Sequence, residues 1–155
     1  MSRGLIESWF PNVARDGFEI TSNETPEYNC IAWAGNDTSE KWDPDQSTGR
    51  YWPDGVPPTL ELNSFIHLFE IEGGYSPCDS EVLEAGFEKI AIYCNFNAHS
   101  QRIEVTHAAR QLESGKWTSK LGDCEDIEHN SLNGLCGMWP AYGTVAKILK
   151  RTRKA

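Results

Sequence analysis

Two residues of this 155-residue sequence are of the right types for thiol chemistry: Cys30 in Tyr28-Asn29-Cys30-Ile31-Ala32-Trp33-Ala34, and His107 in Thr106-His107-Ala108-Ala109. Asn29 is a good helix N-cap and would leave Cys30 at the first helical position. The first N–H groups of a helix have no internal partners, and the helix dipole favours negative charge beside them. A thiol placed there is biased toward thiolate. The same N–H groups can hold an oxyanion formed when sulfur attacks a carbonyl. The plainer alternative is that Cys30 is a small apolar residue buried between Tyr28 and Trp33.

His107 gains its interest from an alternating pattern. Ile103, Val105, His107, Ala109 and Gln111 share one face of a strand, and the apolar members make that face the inward one. An inward histidine is hydrogen-bonded, bound to a metal, or set against a nucleophile. Paired with Cys30 it would be the general base of thiol catalysis, and a third group would orient its ring. If Gln111 pairs with Trp117 across the turn at Glu113-Ser114-Gly115, Ser119 lies on the His107 face, one diagonal step away. Ser119 is thus the leading orienter. Asp126, Glu128 and His129 could also reach back, and a register slipped by one would turn Lys120 inward instead.

Other chemistries have less support. Cys124, His129 and Cys136 are metal-ligand types at short spacing, with His99 and His107 available. They form no C-x-x-C pair and match no common zinc spacing, so no metal or other cofactor is expected. The G-x-S-x-G elbow, the P-loop and the G-x-G-x-x-G fingerprint are all missing.

The elements that must position these residues follow a simple order. Leu5, Ile6, Trp9 and Phe10 predict a short N-terminal helix stopped by Pro11. Residues 12–27 read as loop, with a short strand at Phe18-Glu19-Ile20. Gly35-Asn36-Asp37 would end the Cys30 helix. Residues 36–58, rich in turn formers and in Trp42, Tyr51 and Trp52, read as a long loop that either walls a site or plugs the core edge. Leu62, Phe65, Ile66 and Phe69 give the most secure helix, with Thr59 as its N-cap, Gly73-Gly74 as its stop and His67 on its surface. From residue 87 the period changes to two. Strands follow around Ile90, Ile92 and Cys94, around His107, and at Trp117, Ser119 and Leu121. Residues 123–138 read as irregular, and Tyr142 to Arg151 closes the sheet. Helices first and an antiparallel sheet after is an α+β arrangement.

Length suits one domain, 1–155, with residues 1–25 as an N-terminal extension. The composition, 39% hydrophobic and 11% aromatic, is that of a folded chain. The net charge is −9. Lys147, Lys150, Arg151, Arg153 and Lys154 form a basic strand and tail at 147–155, expected to be solvated, with contact to an acidic partner or phosphate as the alternative, which leaves the rest strongly acidic. Such a body does not suit nucleic acid, so no nucleic-acid partner is expected. No apolar run is long enough to cross a membrane, and residues 1–10 lack the apolar core of a signal peptide. Five scattered cysteines are expected as free thiols, in a cytoplasmic setting. The oligomeric state is not legible.

The order of Cys-helix, helix, His-strand and return strand resembles the papain-like superfamily, above all its compact bacterial NlpC-type branch. The residues that carry the likeness are Tyr28-Asn29-Cys30 and Thr106-His107-Ala108-Ala109. The chain also resembles an uncharacterised bacterial domain family through Asn29-Cys30-Ile31-Ala32-Trp33-Ala34, Tyr51-Trp52-Pro53, His107-Ala108-Ala109-Arg110-Gln111 and Trp117-Thr118-Ser119-Lys120-Leu121-Gly122. The papain-like likeness implies Cys30 as nucleophile, His107 as base and an oxyanion hole that includes the Cys30 N–H. Tyr28, Asn29, Trp33 and Trp52 are then the expected oxyanion and substrate-binding residues. The expected activity is hydrolysis of an amide, peptide or isopeptide bond in a protein or peptide substrate. The alternative is a protein-binding module that keeps the fold without the chemistry. The pattern departs from the superfamily in two places: Ile31-Ala32-Trp33 replaces the small residues that follow the nucleophile, and the third polar residue is not identifiable.

Overall fold

The computed structural model describes residues 2–154, apart from the Thr48 side chain. Met1 and Ala155, the ends of the expected domain, lie outside the described residues. Helix α1 (Arg3–Trp9) is capped by the Ser2 hydroxyl, and Pro11 opens a second helix, α2 (Pro11–Asp16), where loop was expected. Proline suits a first helical position because its missing N–H would be unpaired there anyway. Strand β1 (Phe18–Ile20) follows. The Cys30 helix, α3 (Cys30–Ala34), is five residues long and ends at Gly35. A Cβ at Gly35 would stand 2.5 Å from the Trp42 ring, so the loop can fold back only onto a glycine.

Helix α4 (Leu62–Gly73) buries Phe65, Leu68 and Phe69 and leaves His67 exposed, as its spacing predicts. Its N-cap position is Glu61, not Thr59. The Thr59 hydroxyl instead bonds with that of Ser64 at 2.6 Å.

The remaining strands are β2 (Ser76–Cys78), β3 (Phe87–Asn97), β4 (Arg102–Gln111), β5 (Trp117–Lys120), β6 (Asp126–His129) and β7 (Thr144–Thr152). Among the described residues they form one seven-stranded antiparallel sheet in the order β1-β6-β5-β4-β3-β7-β2. The architecture is α+β. Strand β6 and a 3-10 turn at Leu132–Leu135 fall within the stretch expected to be irregular. The basic strand is no solvated edge, because β7 pairs with β3 on one side and β2 on the other. Cations of the strand and of the residue after it are matched internally: Lys150 with Glu84, and Arg151 and Arg153 with the buried Glu88.

Two apolar clusters cover the sheet. One joins α3, α4 and the aromatic loop to Ile90, Ile92, Cys94, Val105 and Ala108. Trp42, Trp52 and Val56 are buried in it, so the aromatic loop serves largely to complete this core. The other joins α1, α2 and the 3-10 turn to Ala91, Tyr93, Ala109, Trp117 and Ile127. Val105 and Ala108 thus share a face although three positions apart. Tyr93 pairs with His107 and Cys94 with Val105, so Thr106 is an extra residue in β4. Such a bulge reverses the alternation beyond it. His107 therefore does not share a face with Val105, as strict alternation predicts, but points with Tyr93 and Ala109 into the second cluster. All five cysteines are free. No helix among the described residues is long and apolar enough to cross a membrane.

Candidate active site

Asn29 fixes the start of α3 and ties it to the loop. Its carboxamide oxygen accepts from the N–H groups of Ala32 and Trp42, both at 3.1 Å, and its amide donates to the Trp42 carbonyl at 2.8 Å. Cys30 opens onto a cavity of about 130 Å³, bounded among others by Asn29, Trp42, Pro44, Phe65, Val105 and Thr106. Backbone N–H groups of Ala108, Ile31 and Cys30 itself lie around the sulfur and favour its thiolate, as does the Lys120 charge. Burial outweighs them and pushes the thiol up to about 11. This corrects the expectation of a thiolate-biased sulfur. A five-residue helix has a small dipole, and the desolvation cost of charge in a packed site is larger.

The β4–β5 register is the expected one: Gln111 pairs with Trp117 and Arg110 with Thr118. Ser119 consequently stands on the His107 face, and its Oγ lies 2.9 Å from His107 Nε2. The same oxygen lies 2.8 Å from His129 Nε2, and His129 Nδ1 lies 2.9 Å from the Ser131 carbonyl oxygen. These contacts fix every proton. A carbonyl only accepts, so His129 carries its proton on Nδ1. His129 Nε2 must then accept from the Ser119 hydroxyl. That spends the one hydroxyl proton, so Ser119 accepts from His107 Nε2–H. The remaining nitrogen, His107 Nδ1, is left with a bare lone pair and no hydrogen-bond partner. Both imidazoles are neutral. Burial holds His129 down at about 4 and His107 well below its ordinary range, with the neighbouring His129 adding to the effect on His107.

The ring of His107 is clamped from the side. Tyr142 stacks on it with centroids 4.1 Å apart and planes 2° from parallel, and Tyr93 meets it edge-on at 5.4 Å. Tyr142 is itself positioned by its carbonyl, which accepts from the bulged Thr106 hydroxyl at 2.7 Å. The sequence pattern makes Tyr142 the first residue of the closing strand, but β7 begins at Thr144, and Tyr142 lies in the irregular stretch before it, where it serves the site and not the ladder.

The structure thus brings the Cys30 sulfur to the N–H of Ala108, the residue after His107, while no hydrogen bond joins the thiol to the imidazole. Cys30 packs with the α3–α4 cluster, and the His107 ring packs toward the other. Helix α3 lies over both β4 and β5, whose mutual ladder ends at Arg110 and Thr118.

Of the expected binding residues, only Asn29 borders the Cys30 cavity. Tyr28 donates from its hydroxyl to Asp126 at 2.8 Å and packs on Trp33, whose indole donates to Thr118 at 3.0 Å. Trp52 donates to the Val56 carbonyl and packs edge-on against Phe65. These three are core aromatics with their polar atoms satisfied. Asp126 is drawn to Tyr28 and Glu128 to Lys116, so His129 alone among the three alternative orienters reaches the relay. Lys120 points away from it, with its ammonium held by the carbonyls of Thr25, Gly122 and Cys124. No group of three metal-ligand side chains converges among the described residues.

No curated protein and no solved structure matches the chain. A family model does, over residues 19–150, a span that includes Cys30, His107, Ser119 and His129. On that match the chain belongs to the family described as domain of unknown function (DUF7689).

Proposed function

We propose that the protein is a cysteine hydrolase of papain-like type, acting on an amide, peptide or isopeptide bond through Cys30 and His107. The observation that supports this reading is the His107–Ser119–His129 relay, which leaves His107 Nδ1 unprotonated and unpartnered one residue from the N–H that faces the Cys30 sulfur. In the reaction, His107 Nδ1 takes the thiol proton as sulfur bonds to the substrate carbonyl carbon. The C–N bond then breaks, the amine leaves with the proton from Nδ1, and water hydrolyses the thioester. The N–H groups around the sulfur, of Cys30 and Ala108, are the donors for the developing oxyanion. The thiol and the imidazole pack in different clusters, so the reading requires β4 to shift on substrate binding until the thiol and Nδ1 reach hydrogen-bond distance. Ser119 orients His107, and His129 orients Ser119.

A second reading, a papain-like protein-binding module without chemistry, is favoured by one observation: the thiol and imidazole are both held neutral by burial. Labelling with an electrophilic thiol probe at neutral pH, followed by mapping of the modified cysteine, separates the two. For the hydrolase, Cys30 labels faster than Cys78 or Cys94, and His107→Gln slows Cys30 alone. Labelling of Cys30 no faster than the others, and unaffected by His107→Gln, leaves the binding module.

A further inference from the structure

Strand β3 runs on past its neighbour. Its last pairing with β7 is Cys94 with Thr144, whereas β4 accompanies it to Asn97. Along Asn95–Asn97 the edge turned away from β4 therefore pairs with no strand among the described residues. The Phe96 N–H on this stretch is bonded by the side chain of the preceding Asn95, at 2.9 Å, and not by another strand. The chain that would have continued the ladder leaves at Gly143 (φ 84°). The departing segment walls a groove of about 540 Å³ against the end of the β3–β4 hairpin. One wall is Trp139, Pro140 and Tyr142, and the other carries Asn95, Asn97 and Glu104. Trp139 is 85% exposed, an unusual state for an indole beside a groove of this size. Among the described residues that line the groove, Glu104 is the one with a charged side chain, and the chain as a whole is −9. The groove also reaches Val105 and Thr106, which border the Cys30 cavity.

We infer that this groove binds an extended peptide segment, which adds as a short strand to the free edge of β3 at Asn95–Asn97. An unpaired strand edge supplies main-chain hydrogen bonds to such a ligand, and side-chain pockets beside it supply the preference. Here a bulky apolar side chain lies on Trp139, and a neighbouring lysine or arginine turns to Glu104. The Asn95 carboxamide gives up the Phe96 N–H to the peptide carbonyl. This binding does not depend on the reactivity of Cys30.

The test is a ¹⁵N–¹H correlation spectrum of the full chain, titrated with a pool of heptapeptides that have Lys-Phe-Val at the centre and randomised flanks. The Phe96 amide and the Trp139 indole N–H shift together. Trp139→Ala, at an exposed site that does not threaten folding, weakens binding by about tenfold or more. A pool N-methylated along the central backbone weakens it by about fivefold, because it cannot complete the ladder. A pool with glutamate in place of lysine binds more weakly than the parent. Three results overturn the proposal: no shift at Phe96 with the pool at about 1 mM, a level that would detect even weak affinity; equal binding by Trp139→Ala; or shifts at Phe96 that follow protein concentration without peptide, which assign the edge to a second copy of the chain. The labelling of Cys30 is a separate readout, so failure here leaves the hydrolase reading standing and failure there leaves this one.

Discussion

Acid should unfold this protein through two histidines. His107 and His129 are each 0% exposed and neutral, and burial depresses the proton affinity of both. In the unfolded chain each binds a proton near pH 6.5. In the folded chain His129 does so only at about 4, and His107 also well below its ordinary range. The unfolded state therefore binds more protons between these limits, and stability falls as pH falls through the window from about 6.5 to 4. At about pH 5, RT ln(1 + 10^1.5) gives roughly 2 kcal/mol for His129, and His107 adds to the loss in the same direction. That is a large part of the 5–15 kcal/mol by which domains are typically stable. Asp126, whose carboxyl is raised by burial, acts in the opposite direction and eases part of the loss at the acid end. Urea unfolding followed by tryptophan fluorescence, at about pH 7.5 and about pH 5, measures the difference. In a His129→Asn variant the pH-dependent part should fall by the roughly 2 kcal/mol that His129 supplies. A loss below about 1 kcal/mol in the wild type, or an unchanged loss in the variant, would refute the neutral-relay assignment.

Other substitutions probe the remaining supports. Ser119→Ala removes both relay hydrogen bonds and strands two buried ring nitrogens, so thermal or urea unfolding should show a loss of roughly 2–5 kcal/mol. Gly143→Ala places a Cβ 2.2 Å from the Cys94 carbonyl oxygen at a positive φ, and should cost about 3 kcal/mol or more in the same assay. Glu88→Gln leaves Arg151 and Arg153 without their shared carboxylate in a largely buried setting. It should cost roughly 2–4 kcal/mol, and added salt should restore little of it. Tyr28→Phe deprives the buried Asp126 of its hydroxyl donor and should cost roughly 1–3 kcal/mol in urea unfolding, with recovery as the pH is lowered and the carboxyl protonates.

Much of the relay was legible in the sequence because it rests on short-range pattern. The turn at Glu113-Ser114-Gly115 sets the pairing of Gln111 with Trp117, and that register alone carries Ser119 to the His107 face. Helix α4 was legible because its apolar spacing leaves one solution. The bulge at Thr106 was not, since threonine is at home in any strand and nothing local marks an inserted residue. Missing it gave His107 the wrong face relative to Val105. Strand β6 was hidden by its composition: Asp126, Glu128 and His129 read as loop, and only pairing with β1 and β5 makes them a strand. The basic residues of β7 looked solvated because Glu84 and Glu88, which hold them, lie more than sixty positions earlier. The thiol of Cys30 was misjudged for the same reason. Its state is set by the depth of tertiary burial, which no window of seven residues contains.

The placement of β7 also constrains the order of assembly. It follows the other six strands in chain order, yet it occupies an interior lane and, among the described residues, is the only link between β2 and the rest of the sheet. A nascent chain that has emerged as far as Gly143 can pair β3 with β4 but cannot bring β2 home. Translation must therefore proceed through Thr152 before the helix-and-hairpin half gains its final hydrogen-bonded neighbour. Until then the outer flank of β3 is exposed to whatever else on the ribosome can pair with it.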